Sequence, residues 1–227
     1  MRATVRPLVA EFLGTFFFIF VGCAAVVVAT TLDLGLGGIA FAHAFGFSIA
    51  VTATMAISGG HLNPAVTFAV WMAGRIEARR AVGYVLVQLL AAVLAAVAVK
   101  LLYPTGVTAP SSLGVPRLAT DITFTKAVLL EAILTAFLVS MVFGTIISKH
   151  APRVGGFAVG LTLLGAILVA APVTGAALNP ARAFGPALVS GDWHGHLAFW
   201  LGPLLGAAVA AVIWTKVLLP IPGDPEP

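Results

Sequence analysis

The triplet Asn-Pro-Ala occurs twice in this chain, as Asn63-Pro64-Ala65 and as Asn179-Pro180-Ala181, each in a break of small residues inside very apolar surroundings. Asparagine caps a helix by accepting bonds from backbone N–H groups, and proline is preorganised for the first helical position. Each triplet therefore predicts a helix start, with an asparagine amide free to aim an N–H at whatever passes. The flanks repeat too: Ser58-Gly59-Gly60-His61-Leu62-Asn63-Pro64-Ala65-Val66 aligns with Thr174-Gly175-Ala176-Ala177-Leu178-Asn179-Pro180-Ala181-Arg182 at an offset of 116 residues. Two interrupted apolar segments in corresponding halves of a chain point to a pore or binding site at a bilayer midplane.

The ionisable residues among these apolar stretches are few. Arg182 follows the second triplet directly. A charge at membrane depth costs ~2.5–3.5 kcal/mol on insertion scales, which makes it functional by default; the structural alternative is a snorkelling anchor. Glu11 and Glu131, at matching positions of the two halves, are the acids inside the apolar segments. Buried acids demand partners, and the expected ones are backbone N–H groups of the two broken segments, a structural role. The competing reading is a proton relay. His61, just before the first triplet, is expected to line the cytoplasmic vestibule, with a loop-stabilising hydrogen bond as the alternative.

These residues need elements to hold them. At 60% hydrophobic, 9% charged and a mean hydropathy of +1.10, the 227 residues carry too much apolar surface for one soluble core. Segments 8–31, 34–58, 81–99, 127–148, 154–171 and 197–215 reach or approach the roughly 20 residues that span a membrane. The apolar runs 66–73 and 183–189, after the triplets, are far too short and read as half-helices. Non-helical backbone at that depth is tolerated where it lines a water-filled cavity. Each half thus holds three spans and one triplet, and because three is odd the halves have opposite orientations. The expected fold is all-α, one channel domain over 1–227 built as an inverted repeat of about 7–102 and 124–219. Residues 1–7 are too short for a cleaved signal, so the first span is expected to be retained. In the last span Gly202 and Gly206 form a small-xxx-small pair suited to close helix contact.

Six alternating spans put Arg2, Arg6, Arg75, Arg79, Arg80, Lys149, Arg153 and Lys216 on one side and Lys100, Arg117 and Lys126 on the other. That bias predicts both termini in the cytoplasm. The net charge of +4 is scattered over span ends rather than gathered in a patch, which argues against nucleic acid as a partner. Cys23 is the single cysteine, so no disulfide or thiolate metal site is expected, and no cofactor.

With the two triplets, Ala10-Glu11-Phe12-Leu13-Gly14-Thr15, Ser58-Gly59-Gly60-His61 and Asn179-Pro180-Ala181-Arg182-Ala183-Phe184-Gly185-Pro186 in view, the chain resembles the aquaporin family, the major intrinsic proteins, over essentially its whole length. The resemblance implies an hourglass of six transmembrane helices and two re-entrant half-helices, a homotetramer in the lipid bilayer with one pore per subunit, and water and small neutral solutes as what passes. It makes Arg182 part of a narrow selectivity filter and carries over three further positions: His43, twenty residues before Asn63; Ile167, fifteen before Arg182; and Ala176, six before it. A shifted helix would bring Phe45 to the filter instead of His43. This set is similar to that of plant tonoplast-type aquaporins, which implies a wider filter, with the His43 donor on a different wall, passing ammonia and also urea or hydrogen peroxide. Glycerol channels of the family carry Asp where this chain has Ala183; Ala187, Phe199 and Trp200 also resemble the water-channel pattern, the two aromatics reading equally as interface or core residues.

Two other function classes compete. A coupled transporter wants paired acids or a cation site beside the broken helices, and none neighbours Asn63 or Asn179. An intramembrane hydrolase wants Ser with His; Ser58 and His61 are spaced for it, but their counterparts Thr174 and Ala177 are not, so no catalytic residue is assigned. The expectation is a passive water channel that excludes protons and ions and passes ammonia, the alternative a glycerol or urea facilitator. Short termini suggest a cell membrane, plasma or bacterial inner.

Overall fold

The structure, a computed structural model, describes residues 2–32, 34–148, 152 and 154–219, with backbone alone for 2–4. Lys149, Arg153 and the side chain of Arg2, on which the charge argument draws, lie outside the described residues. Nine α-helices run through the described chain, and no strand occurs among its residues. They are α1 Arg2–Val28, α2 Gly35–Ser58, α3 Pro64–Met72, α4 Ala78–Leu102, α5 Thr105–Thr108, α6 Phe124–Val142, α7 Gly155–Thr174, α8 Pro180–Ser190 and α9 Ala198–Ile213. The last turns of α6 and α9 widen into π-helix at Phe143–Ile147 and Trp214–Leu218.

Six segments are long and apolar enough to cross a membrane: Val5–Val28, Gly35–Ser58, Ala78–Leu102, Phe124–Ile147, Gly155–Thr174 and Ala198–Leu218. Several outrun the sequence-based spans. Arg79 and Arg80 fall inside the first turn of α4 because a helix continues into the polar interface, where charges are solvated. Likewise α7 runs three residues past 171, through Pro172, since neighbouring helices can resatisfy the carbonyl a proline frees.

The packing repeats with the sequence. Helix α1 packs on α2 and α4 as α6 packs on α7 and α9, and α4 holds α8 as α9 holds α3. Each half-helix is thus gripped by the last span of the opposite half, while α2 and α7 pack on each other across the pseudo-twofold axis. Closest approach occurs where α9 meets α6. A Cβ on Gly202 would lie 2.6 Å from the Glu131 Cβ, and one on Gly206 would collide with the carbonyl of Ala132. The outer surface is apolar, with Leu13, Leu86, Phe137 and Val169 all more than half exposed, as hydrocarbon requires and water would not tolerate.

Helix ends supply the rest of the scaffold. Gly59 and Gly175 terminate α2 and α7 in the left-handed region at φ 95° and 82°. Such a residue stops a helix and turns the chain at once, which returns it toward the molecule's middle.

A pore between two opposed half-helices

Asn63 and Asn179 adopt extended backbone and cap α3 and α8, with Pro64 and Pro180 at the first helical position. The Asn63 side-chain oxygen accepts from the Ala65 N–H at 2.8 Å, and that of Asn179 from Ala181 at 3.0 Å and Arg182 at 3.3 Å. Their amide nitrogens cross the pseudo-twofold: Asn63 Nδ2 donates to the Leu178 carbonyl and Asn179 Nδ2 to that of Leu62, both at 2.9 Å. An amide nitrogen carries two hydrogens. One is fixed by this exchange, so the other has a set direction rather than a free one.

The exchange depends on Leu62 and Leu178, which are fully buried and sit at φ 50° and 51°. Positive φ costs a branched residue on the order of 1–3 kcal/mol and persists when the surroundings over-determine it. Glu11 and Glu131 provide that determination. Glu11 accepts from the Ser58 hydroxyl, the His61 and Leu62 N–H groups and Gln88 Nε2, at 2.6–2.9 Å. Glu131 accepts from the Thr174 hydroxyl and the Ala177 and Leu178 N–H groups at 2.7–3.0 Å. Both acids thus clamp the loop in front of a half-helix.

On one side of the asparagines lies a cavity of about 390 Å³, lined by His43, Ile167, Ala176, Gly114 and Arg182 among others. Arg182 is buried; its Nη1 donates to the Gly114 carbonyl at 2.7 Å, and its Nη2 lies 3.2 Å from His43 Nε2. The other ring nitrogen of His43, Nδ1, is 2.9 Å from the Ile39 carbonyl. A carbonyl only accepts and a guanidinium only donates, so Nδ1 carries the proton and Nε2 is bare. The ring's one N–H is therefore spent on its own helix. The expectation that His43 offers its donor to a passing solute does not hold in this geometry; what it offers is an acceptor, taken by Arg182. Phe45 is 53% exposed on the outer surface, whereas His43 is 3% exposed and faces Arg182.

The opposite side holds a cavity of about 300 Å³ lined by His61, Tyr84, Arg75, Arg80, Met55 and Ile146 among others. His61 Nδ1 is 3.2 Å from the Thr67 hydroxyl, and its ring meets Tyr84 edge-on at 5.2 Å. Gln88 Nε2 donates to both Thr67 and Glu11. Sequence reasoning missed Thr67 and Gln88, although a glutamine deep in an apolar span was a signal it had available. It also missed Gly114, whose contribution is a backbone carbonyl and leaves no trace in residue type.

Outside the spans, the turn carrying Gly114 is tied to the chain beyond α8. Arg117 Nε and Nη2 donate to Asp192 Oδ2 at 3.0 and 2.7 Å, and Nη2 also reaches the Ser112 hydroxyl. Partial burial pushes the Asp192 carboxyl up, but the Arg117 bonds and the His194 N–H outweigh it and hold it below its ordinary value.

Known proteins share this arrangement. A family model described as Major intrinsic protein matches residues 2–214. The chain is 37% identical to "Probable aquaporin TIP3-2" of Arabidopsis thaliana, over 98% of this chain and 87% of that protein. It is 39% identical to "Probable aquaporin TIP-type alpha" of Phaseolus vulgaris, over 98% and 89%. The fold superposes on the aquaglyceroporin from Plasmodium falciparum with a TM-score of 0.83 and 26% identity, covering 94% of this chain and 96% of that one. The protein is a multi-pass membrane channel for water and small solutes, not an enzyme, and it belongs to the aquaporin family of major intrinsic proteins.

Proposed function

We propose that this channel conducts water without protons or ions and passes ammonia beside it, with His43, Ile167, Ala176 and Arg182 as its selectivity filter. The observation that carries the reading is the crossed pair of asparagine amides. Asn63 and Asn179 stand at the N-termini of two half-helices and each has one N–H directed by the Leu178 or Leu62 carbonyl. A water accepting from them must point its own hydrogens away from the centre on both sides, which breaks a proton wire. The positive ends of the two helix dipoles add an electrostatic barrier to cations, as is described for aquaporins generally.

Arg182 supports the filter reading. It shares one cavity with His43, Ile167 and Ala176 and is held there by two acceptors, the Gly114 carbonyl and His43 Nε2. Ile167 and Ala176 offer neither ring bulk nor a donor, which suits ammonia, and also urea or hydrogen peroxide, better than a filter for water alone. The same aliphatic wall favours the second reading, a facilitator of neutral solutes such as glycerol or urea with water as a minor substrate; Ala183 argues against glycerol.

Stopped-flow light scattering on proteoliposomes, with a pH-sensitive dye inside, tests the proposal. Fast water flow without a matching pH change supports it. Proton leak rising in step with water flow refutes it.

A homotetramer remains what the resemblance to the family implies. Termini on the cytoplasmic side remain the reading of the arginine bias. The expectation of a plasma or bacterial inner membrane draws no support from the relatives, which are TIP-type by name.

A further inference from the structure

The turn that supplies the Gly114 carbonyl is not a relaxed one. Ser112, Leu113 and Gly114 lie in succession at φ 45°, 56° and 78°. Consecutive left-handed residues, two of them with side chains, persist only where something outside the turn holds them. Two holds are visible. Leu113 is buried, and Gly114 packs so closely on α1 that a Cβ there would lie 3.2 Å from the Cys23 Cα. The other hold is Arg117, which spans the turn to Ser112 and reaches out to Asp192.

Asp192 is not an arbitrary anchor. It stands two residues beyond the last residue of α8, and its N–H donates to the hydroxyl of Ser190, which closes that helix. Arg182 is in the first turn of the same helix. The turn is therefore gripped from both ends of one rigid rod: Arg182 takes the Gly114 carbonyl at the N-terminal end, and Asp192 takes Arg117 at the C-terminal end.

We propose that the Arg117–Asp192 pair is a positioning device that sets the solute cut-off of the channel, by holding the 112–117 turn where its Gly114 carbonyl fixes the Arg182 guanidinium. The inference rests on the reading of Arg182 as a filter residue. Without the pair the turn drifts, the guanidinium loses one of its two fixed acceptors, and solutes wider than water pass more freely. Arg117 is 55% exposed at its side chain and Asp192 20%, so the grip is one that salt weakens.

The test is the urea-to-water permeability ratio in proteoliposomes for Asp192→Asn, Arg117→Gln, the exchange Arg117→Asp with Asp192→Arg, and Arg182→Val. Each single change at the pair raises the ratio about two- to fivefold, the effect that loss of one partly exposed ion pair converts to. The exchange returns it toward the starting value. Raising salt on both sides of the membrane from about 10 mM to about 1 M shortens the Debye length from about 30 Å to about 3 Å; it raises the ratio of the unmodified protein and leaves Arg117→Gln unchanged. Misfolding lowers both permeabilities together and moves none of these readouts. A flat ratio in both single variants, or an exchange that fails to restore it, overturns the inference while Arg182→Val still raises the ratio. If Arg182→Val is flat as well, the filter reading itself falls.

Discussion

Replacing His43 by Phe and Ile167 by His narrows the pore toward water alone. The His43 ring lies between a wall and a charge: a Cβ on Gly22 would sit 2.7 Å from its Cδ2 and Nε2, and Arg182 Nη2 is 3.2 Å from Nε2 on the other side. The larger phenyl ring cannot retreat toward Gly22, so it moves toward Arg182 and the lumen. It also removes the acceptor of one charge-assisted bond, worth roughly 1.5–3 kcal/mol, and so turns an arginine N–H from a protein partner to the solute path. Ile167→His then adds a fixed donor to a wall of the same cavity. A change of about one methylene in a pocket is worth about 1–3 kcal/mol of discrimination, or roughly 10–200-fold. Side chains facing a water-filled lumen relax, so the lower end applies and the ammonia-to-water ratio falls about tenfold. Ratios matter here because selectivity is a difference of barriers and not one rate. Stopped-flow scattering gives water and an internal pH dye gives ammonia, for the double variant and both singles. An unchanged ratio in a double variant that still conducts water refutes the assignment of His43 and Ile167.

Three further outcomes are expected. Mercury leaves the unmodified channel open, because Cys23 is 1% exposed behind the Gly114 turn, while Ala176→Cys creates sensitivity; strong reversible block of the unmodified protein shows instead that Cys23 reaches the lumen. Glu131→Gln replaces one of two accepting oxygens by a donor; the Thr174 hydroxyl can rotate but the Ala177 and Leu178 N–H groups cannot, so one is orphaned at about 1–3 kcal/mol. Thermal unfolding in detergent reads this as a lowered midpoint, and an unchanged midpoint disproves the clamp. The Asp192 carboxyl is held below its ordinary value of 3.8, so the Arg117 bridge is fully present above that value and is lost as pH falls through the folded one. The urea-to-water ratio attributable to the bridge is therefore flat from about pH 8 to 5, and a rise already at pH 6 contradicts the bridge as its source.

What the sequence made legible follows from which constraints are local. Capping and proline placement act within four residues, so the starts of α3 and α8 could be read from the triplets alone. Span existence is a matter of apolar length, so six crossings could be counted, while their ends could not be fixed, as α4 and α7 show. The family resemblance, carried over by spacing, pointed to His43, with Phe45 held open; a shift of two residues along a helix separates an inward from an outward position, and only packing selects between them. The role of His43 was not readable at all. Its donor is spent on Ile39, four residues earlier, a choice between two ring nitrogens that residue identity does not encode. Gly114 and Asp192 were equally hidden, since one acts through a carbonyl and the other through a loop contact 75 residues away in sequence.

The two halves share a backbone plan and divide the chemistry. At the repeat offset of 116 residues, His61 and Thr67 of the first half correspond to Ala177 and Ala183 of the second, and at the offset of 115 that aligns the last span of each half Gln88 corresponds to Pro203. The first half therefore completes its acid clamp with a side-chain network running from Glu11 through Gln88 and Thr67 to His61, within the span bundle. Among the described residues of the second half no such chain runs, and the polar group there is Arg182, at the position of Val66. Arg182 cannot be satisfied from its own half: one acceptor, His43, comes from the first half and the other, Gly114, from the connection between halves. A repeat can duplicate the asparagine exchange because it is symmetric, each half donating to the other. A site built on one charge has to be asymmetric. Its partners are then drawn from elements the repeat leaves free to differ, above all the 109–122 connection, which can vary without disturbing the exchange between the two asparagines.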